Sequence, residues 1–130
     1  MSYFRYHQSS GEFYDCTGPK PRLLATGYSG HGAWINEPVA QTMPRIGPIP
    51  RGVYHALSAR THPRLGPVAI PLDPFPSNLM FGRSGFYIHG DNAKGDRSAS
   101  EGCIILPRAV REAVNASYIR GRQNCYVIVV

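Results

Sequence analysis

No apolar stretch of this 130-residue chain approaches the ~20 residues that a membrane-spanning helix requires. The opening residues, MSYFRYHQSSGEF, lack the basic and apolar segments of a secretory signal. The sequence therefore predicts synthesis in the cytosol and export, if any, by a route without a cleavable leader. Charge is sparse at 17% of residues, yet lopsided: 14 Lys+Arg against 8 Asp+Glu give a formal +6. Such a balance favours anionic partners such as nucleic acid, anionic lipid or an acidic wall polymer. The arginines are scattered from Arg5 to Arg122 without forming a run, and no nucleic-acid-binding motif accompanies them. Nucleic acid is not the expected ligand.

Cysteine is also scarce, and its count of three is odd. Cys16 and Cys125 lie in the β-like runs EFYDCT and NCYVIVV near opposite ends of the chain. If those strands are neighbours, the two can form a disulfide in an oxidising compartment and leave Cys103 as the free thiol; two buried, reduced cysteines are the alternative. His7, His31, His55 and His62 follow no metal-ligand spacing and read as surface or loop residues. A zinc site made of His89, Asp91 and Cys103 lacks a fourth ligand. No metal and no cofactor is expected.

Punctuation is abundant, with 14 glycines and 12 prolines, beside eight tyrosines and five phenylalanines. Glycine supplies positive φ and proline removes a ladder donor, so the chain reads as many short strands and turns. The expected fold is mostly β with one clear helix, in a single domain spanning 1–130. SYFRY and EFYDCT predict a hairpin around Ser9, Ser10 and Gly11. GPIPRG predicts an extended loop feeding the strand GVYHAL, and LGPVAIPLDP a short strand bounded by prolines. PRAVREAVNAS predicts a helix with Pro107 at its first position and Ala109, Val110, Ala113 and Val114 on its buried face. CYVIVV predicts a closing strand.

One stretch carries chemistry: FYIHGDNAKGDRSASEGCIILP, residues 86–107. His89 ends one strand-like run and Cys103 opens another, with a polar loop between them. A thiol becomes a nucleophile as the thiolate, and a histidine within reach can take its proton. Gly102 permits a tight turn whose N–H groups can face an oxyanion, and Ser100 can orient the loop or the imidazole. No triad carboxylate is evident; Asp91 shares a face with His89 only if strand alternation survives Gly90, and Asp91 and Glu101 are taken as candidates for contacting substrate. Arg83 and Ser84, in the loop before the histidine strand, are candidates for binding a substrate carboxylate. Tyr87 alternates with His89 and either lines the cleft or packs in the core.

The phrase YIHGD…SASEGCIIL resembles the signature of L,D-transpeptidase (YkuD-type) catalytic domains. TGYSGHG, IGPIPRGVY, MFGRSGFYIHGD and ASEGCIILPRAVRE, in that order, resemble the compact L,D-transpeptidase-like effectors of bacterial type VI secretion systems. The resemblance implies a small β-sandwich or barrel with the helix behind the site. It implies that Cys103 accepts the acyl group, His89 is the base, and the Gly90 carbonyl orients the imidazole. Ser100 and Gly102 match the motif's serine and glycine. Glu101 replaces a histidine common elsewhere in the family, and Ile105 replaces a polar residue, departures usual in the effector subgroup; both bear on the acceptor side of the site. The implied substrate is the peptidoglycan tetrapeptide stem, in a target cell's periplasm, cleaved by L,D-carboxypeptidase action or altered by D-amino acid exchange. The implied partners are the type VI secretion machinery and a cognate immunity protein. Two alternatives remain open: a non-catalytic basic module that binds cell wall, and an NlpC/P60-like cysteine amidase or endopeptidase. In the latter family the nucleophile precedes the histidine, the reverse of the order here.

Overall fold

Alternation of buried and outward residues builds the strands, and the computed structural model describes residues 1–130. β1 (Ser2–Tyr6) buries Phe4 and Tyr6 and turns Tyr3 outward. Across the turn at Ser9, Ser10 and Gly11 it pairs antiparallel with β2 (Glu12–Asp15), which pairs in turn with β3 (Arg22–Thr26). On its other side β1 lies parallel to the last strand, β10 (Cys125–Val129), in which Cys125, Val127 and Val129 face the core. The sheet continues through β5 (Gly52–Ala56), β7 (Gly66–Pro74), β8 (Phe86–His89), β9 (Ile104–Ile105) and β4 (Tyr28–Ser29), with β6 (Arg60–His62) paired to β7. Its two edges, β3 and β4, are consecutive in the chain and joined by Gly27, so the sheet curls into a nearly closed barrel. Inward residues of every second position (Phe4, Tyr54, Ile70, Leu72, Ile88, Ile104, Val127) form one core.

Two expectations are corrected, and one alternative that the sequence left open is decided. LGPVAIPLDP is the longest strand, β7, and Pro71 lies within it. β7 changes neighbour there from β6 to β5, and the Pro71 carbonyl accepts the Leu57 N–H (3.0 Å). The missing donor falls at that junction, where no ladder bond is broken. Next, α1 (Arg108–Arg120) is capped by Pro107 rather than started by it, and it outruns the expected end. Its inward face holds Arg111, Val114 and Ser117, with Val110 and Tyr118 half-buried, while Ala109 and Ala113 face outward. A buried arginine has taken the place of an alanine stripe. Finally, all three cysteines are free. β1 separates Cys16, whose N–H donates to Tyr3 O, from Cys125, paired with Ser2. Two strand spacings are about 9–10 Å, beyond disulfide reach.

No helix is long and apolar enough to cross a membrane.

Candidate active site

The parallel register of β8 and β9 pairs Ile88 with Ile104 and His89 with Ile105. It therefore sets Cys103 beside Tyr87. Ile88 and Ile104 point into the core, so Tyr87, His89 and Cys103 share the opposite, outward face. Strand spacing and rise put the His89 and Cys103 backbones roughly 8 Å apart on the diagonal. Both side chains line a cleft of about 610 Å³, together with His31, Arg45, His62, Arg64, Ser84 and Glu101 among others.

His89 is almost fully buried, and its Nδ1 lies 2.9 Å from the Gly90 carbonyl oxygen. A carbonyl only accepts, so Nδ1 carries the proton and Nε2 is left as the basic nitrogen. The carbonyl thus does the orienting that a carboxylate does in a triad. Burial lowers the His89 pKa; the carbonyl opposes this, and Arg111 and His62 add to it. Glycine at position 90 leaves room for Arg111: a Cβ there would stand 2.6 Å from its Nη2, so the guanidinium or the peptide would have to give. The Arg111 guanidinium donates to the carbonyls of Leu106 (3.0 Å), Pro67 (2.7 Å) and Val68 (3.1 Å), while the Leu106 N–H donates to His89 O (3.1 Å). This arginine braces the end of β8 from behind.

Cys103 is half-buried, and its thiol makes one long contact, to Gly85 O at 4.0 Å. No hydrogen bond joins thiol to imidazole. Burial pushes the thiol up to about 11; the Tyr87 N–H, Arg64 and Arg83 draw it down, and Glu101 pushes it further up. The raised thiol and the lowered imidazole both favour the neutral pair over thiolate and imidazolium.

The turn before Cys103 is held from within. Ser100, fully buried, accepts the N–H groups of Gly30 (2.9 Å) and Gly102 (3.0 Å) and donates to Cys103 O (2.6 Å). Ser29 donates to Gly102 O (2.8 Å) and accepts the Ile49 N–H (2.9 Å). Gly102 takes φ +128, a conformation that favours glycine. Its N–H is committed to Ser100 and is unavailable to an oxyanion. The N–H of Cys103 has no partner within the protein and is a free main-chain donor beside the thiol.

Two sequence expectations change. Arg83 is not a free carboxylate-binding fork: it is buried and donates to the carbonyls of Gln41, Pro48, Gly47 and, at 3.5 Å, Glu101. It ties the 41–48 loop to the cysteine turn. Asp91 lies outside the cleft lining and accepts the Tyr28 hydroxyl (2.7 Å), which itself accepts the Ala99 N–H (3.1 Å). Tyr28 thereby pins both ends of the loop between His89 and Cys103. Ser84, Tyr87 and Glu101 do line the cleft, and Tyr87 packs edge-on against His62. Sequence reading missed His31, His62, Tyr28, Ser29 and Arg111. Only TGYSGHG, which holds the first, third and fourth of the motif's helpers, carried a hint.

A family model described as the Tlde1 domain matches residues 24–129. A comparison with curated proteins found no match. Among solved structures, a mutant of Enterococcus faecium L,D-transpeptidase superposes with TM-score 0.60 at 17% identity, over 99% of this chain and 49% of that one. The Campylobacter jejuni helical cell shape determining protein Pgp2 gives TM-score 0.57 at 17% identity, over 98% and 46%. The catalytic domain of the E. faecium L,D-transpeptidase gives 0.51 at 16% identity, over 100% and 97%. The chain thus spans about half the length of the first two and nearly all of the isolated catalytic domain, and it shares the L,D-transpeptidase fold.

Proposed function

Because the chain belongs to the Tlde1 domain family of L,D-transpeptidase-like secretion effectors, we propose that it is a peptidoglycan-targeting cysteine acyltransferase. It acts on tetrapeptide stems in the periplasm of a target bacterium, after delivery by a type VI secretion system, and a cognate immunity protein restrains it in the producer. The observation that carries the reading is the β8–β9 register, which sets Cys103 and a carbonyl-oriented His89 on one outward face of the cleft.

In the mechanism, Cys103 Sγ attacks the carbonyl of the third stem residue, an L-centred diamino acid. The thiol proton passes to His89 Nε2 as the S–C bond forms. Because the resting pair is neutral, proton transfer accompanies attack rather than preceding it. The imidazolium so formed is buried and feels the charge of Arg111, which makes it a ready acid. It protonates the departing amine of D-alanine as the C–N bond breaks, leaving a thioester. The Cys103 N–H stabilises the tetrahedral oxyanion, a role in which one donor is worth about 3–4 kcal/mol. Water then cleaves the thioester and restores the thiol, giving carboxypeptidase action; a D-amino acid amine gives exchange instead.

The raised thiol favours the opposing reading, a basic module that binds wall without chemistry. Both are tested by incubating wild type and Cys103→Ala with tetrapeptide muropeptides, with and without a D-amino acid, and following products by mass spectrometry. Loss or replacement of terminal D-alanine by wild type alone is expected. Unchanged peptide with both folded proteins, or trimming by Cys103→Ala, contradicts the acyltransferase.

A further inference from the structure

Of the charged side chains that line the cleft, Arg83 is held by carbonyls of the fold, whereas Arg45, Arg64 and the one anion, Glu101, have no partner in the protein. Arg45 and Arg64 line the cleft with Cys103 and His89, and both are exposed. Neither guanidinium has an acceptor in the protein, whose ion pairs are Arg22–Asp15 and Arg108–Glu112. Of the two, Arg64 is the one whose charge acts on the Cys103 thiol, and its backbone is held by His62. It lies in the turn joining β6 to β7, where Nδ1 of His62 accepts the N–H groups of Arg64 (3.0 Å) and Leu65 (3.2 Å). His62 packs edge-on against Tyr87, ring centroids 5.2 Å apart, and Tyr87 stands beside Cys103 in the sheet. One run of contacts therefore links the Arg64 turn to the strand pair that carries the nucleophile. Arg83 and Arg111, by contrast, use their guanidinium groups on carbonyls of the fold. An arginine anchored through its backbone, its fork free over a cleft, adds little to packing and is well suited to a planar anion.

We propose that Arg64 binds a carboxylate of the stem peptide that acylates Cys103, and that His62 is the positioning residue that presents it. This rests on the acyl-transfer reading and adds to it the group that selects the donor. Two carboxylates flank the scissile bond of a tetrapeptide whose diamino acid carries an acidic side chain: the C-terminal one of D-alanine and that side-chain group. Either offers the two oxygens that a guanidinium pairs with. The nearby cation also supports reaction by favouring charge on the Cys103 sulfur. Arg45 lies in the 41–48 loop that Arg83 ties to the cysteine turn, with its main chain at φ +65 in the left-handed region.

The test uses three synthetic tetrapeptides: the free acid, the D-alanine carboxamide and the diamino acid carboxamide. Each is offered to wild type, Arg64→Ala, Arg64→Lys and His62→Ala, and D-alanine (or its amide) release is followed. Wild type is expected to lose about ten- to a hundredfold in kcat/KM on one of the two amides, and which one identifies the carboxylate. Arg64→Ala is expected to lose as much on the free acid and to treat that amide and the acid alike, with Arg64→Lys between. His62→Ala is expected to raise KM with little change in kcat. Wild type that accepts all three peptides equally, or Arg64→Ala that keeps the discrimination, overturns the proposal. If wild type turns over no peptide, the acyl-transfer reading fails separately. Titrating the free acid into Cys103→Ala, with and without Arg64→Ala, then decides the matter: weaker binding without the arginine supports the proposal, and equal Kd overturns it.

Discussion

The guanidinium of Arg111 lies against Gly90 so closely that a methyl group on residue 90 would come within 2.6 Å of Nη2. The contact couples the helix behind the sheet to the peptide whose carbonyl holds the His89 imidazole. Gly90→Ala is expected to force that peptide or the guanidinium aside. Overpacking of this kind costs about 1–3 kcal/mol, and a displaced base costs on the order of a hundredfold in rate. Thermal unfolding together with D-alanine release measures both. A Gly90→Ala protein with wild-type activity would mean that the carbonyl does not orient the base.

Arg111 itself is expected to matter for stability first. Arg111→Met leaves the carbonyls of Leu106, Pro67 and Val68 without their donor, at a cost of roughly 1–3 kcal/mol for each group left buried and unpaired. In whatever folds, His89 loses a cation that disfavours its protonation, so the acid limb of kcat/KM moves to higher pH than in wild type.

The pH behaviour of the wild type follows from the same directions. Burial lowers His89 below its ordinary 6.5, with Arg111 and His62 adding to the effect against Gly90 and Asp91. Activity is therefore expected to persist into mildly acidic solution before His89 protonates. Stability moves with it: a depressed histidine is neutral in the fold where the unfolded chain is protonated, so its contribution is full above about 6.5 and is lost as pH falls through the folded value. The thiol, pushed up to about 11, predicts that iodoacetamide alkylation of Cys103 in the resting protein keeps accelerating through alkaline pH. A rate already flat at pH 6 would reveal a thiolate–imidazolium pair and contradict the neutral resting state.

Arg83 separates a bracing role from a substrate-binding one. With its guanidinium shared among carbonyls of Gln41, Pro48, Gly47 and Glu101, Arg83→Lys is expected to lower Tm by several degrees. KM for the tetrapeptide in the folded fraction is expected to change less than twofold. A KM raised tenfold at unchanged Tm would return Arg83 to the substrate.

Much of the frame was legible because its signals are local. The hairpin around Gly11, the proline-rich loop before Gly52 and the terminal strand rest on turn chemistry and period-two alternation. The pairing of His89 with Cys103 was legible as a phrase, since both sit at strand tips around one loop. What stayed hidden depends on partners far along the chain. Pro71 is tolerated in β7 because two different strands meet there. Arg83 read as a substrate-carboxylate ligand and Arg111 fell outside the apolar stripe, because periodicity counts apolar side chains and cannot see that folded loops will aim carbonyls at a guanidinium. Tyr28 and Ser29 reach the site from β4, the strand paired with β9, more than sixty positions away in sequence.

The central claim is that Cys103 carries the acyl group, and intact-protein mass spectrometry after rapid acid quench reads it most directly. Wild type mixed with excess tetrapeptide is expected to gain the mass of the tripeptide acyl group, the peptide less D-alanine, mapped by digestion to Cys103 and absent from Cys103→Ala. A wild-type protein that releases D-alanine while never carrying that mass, or that carries it elsewhere than Cys103, contradicts the account.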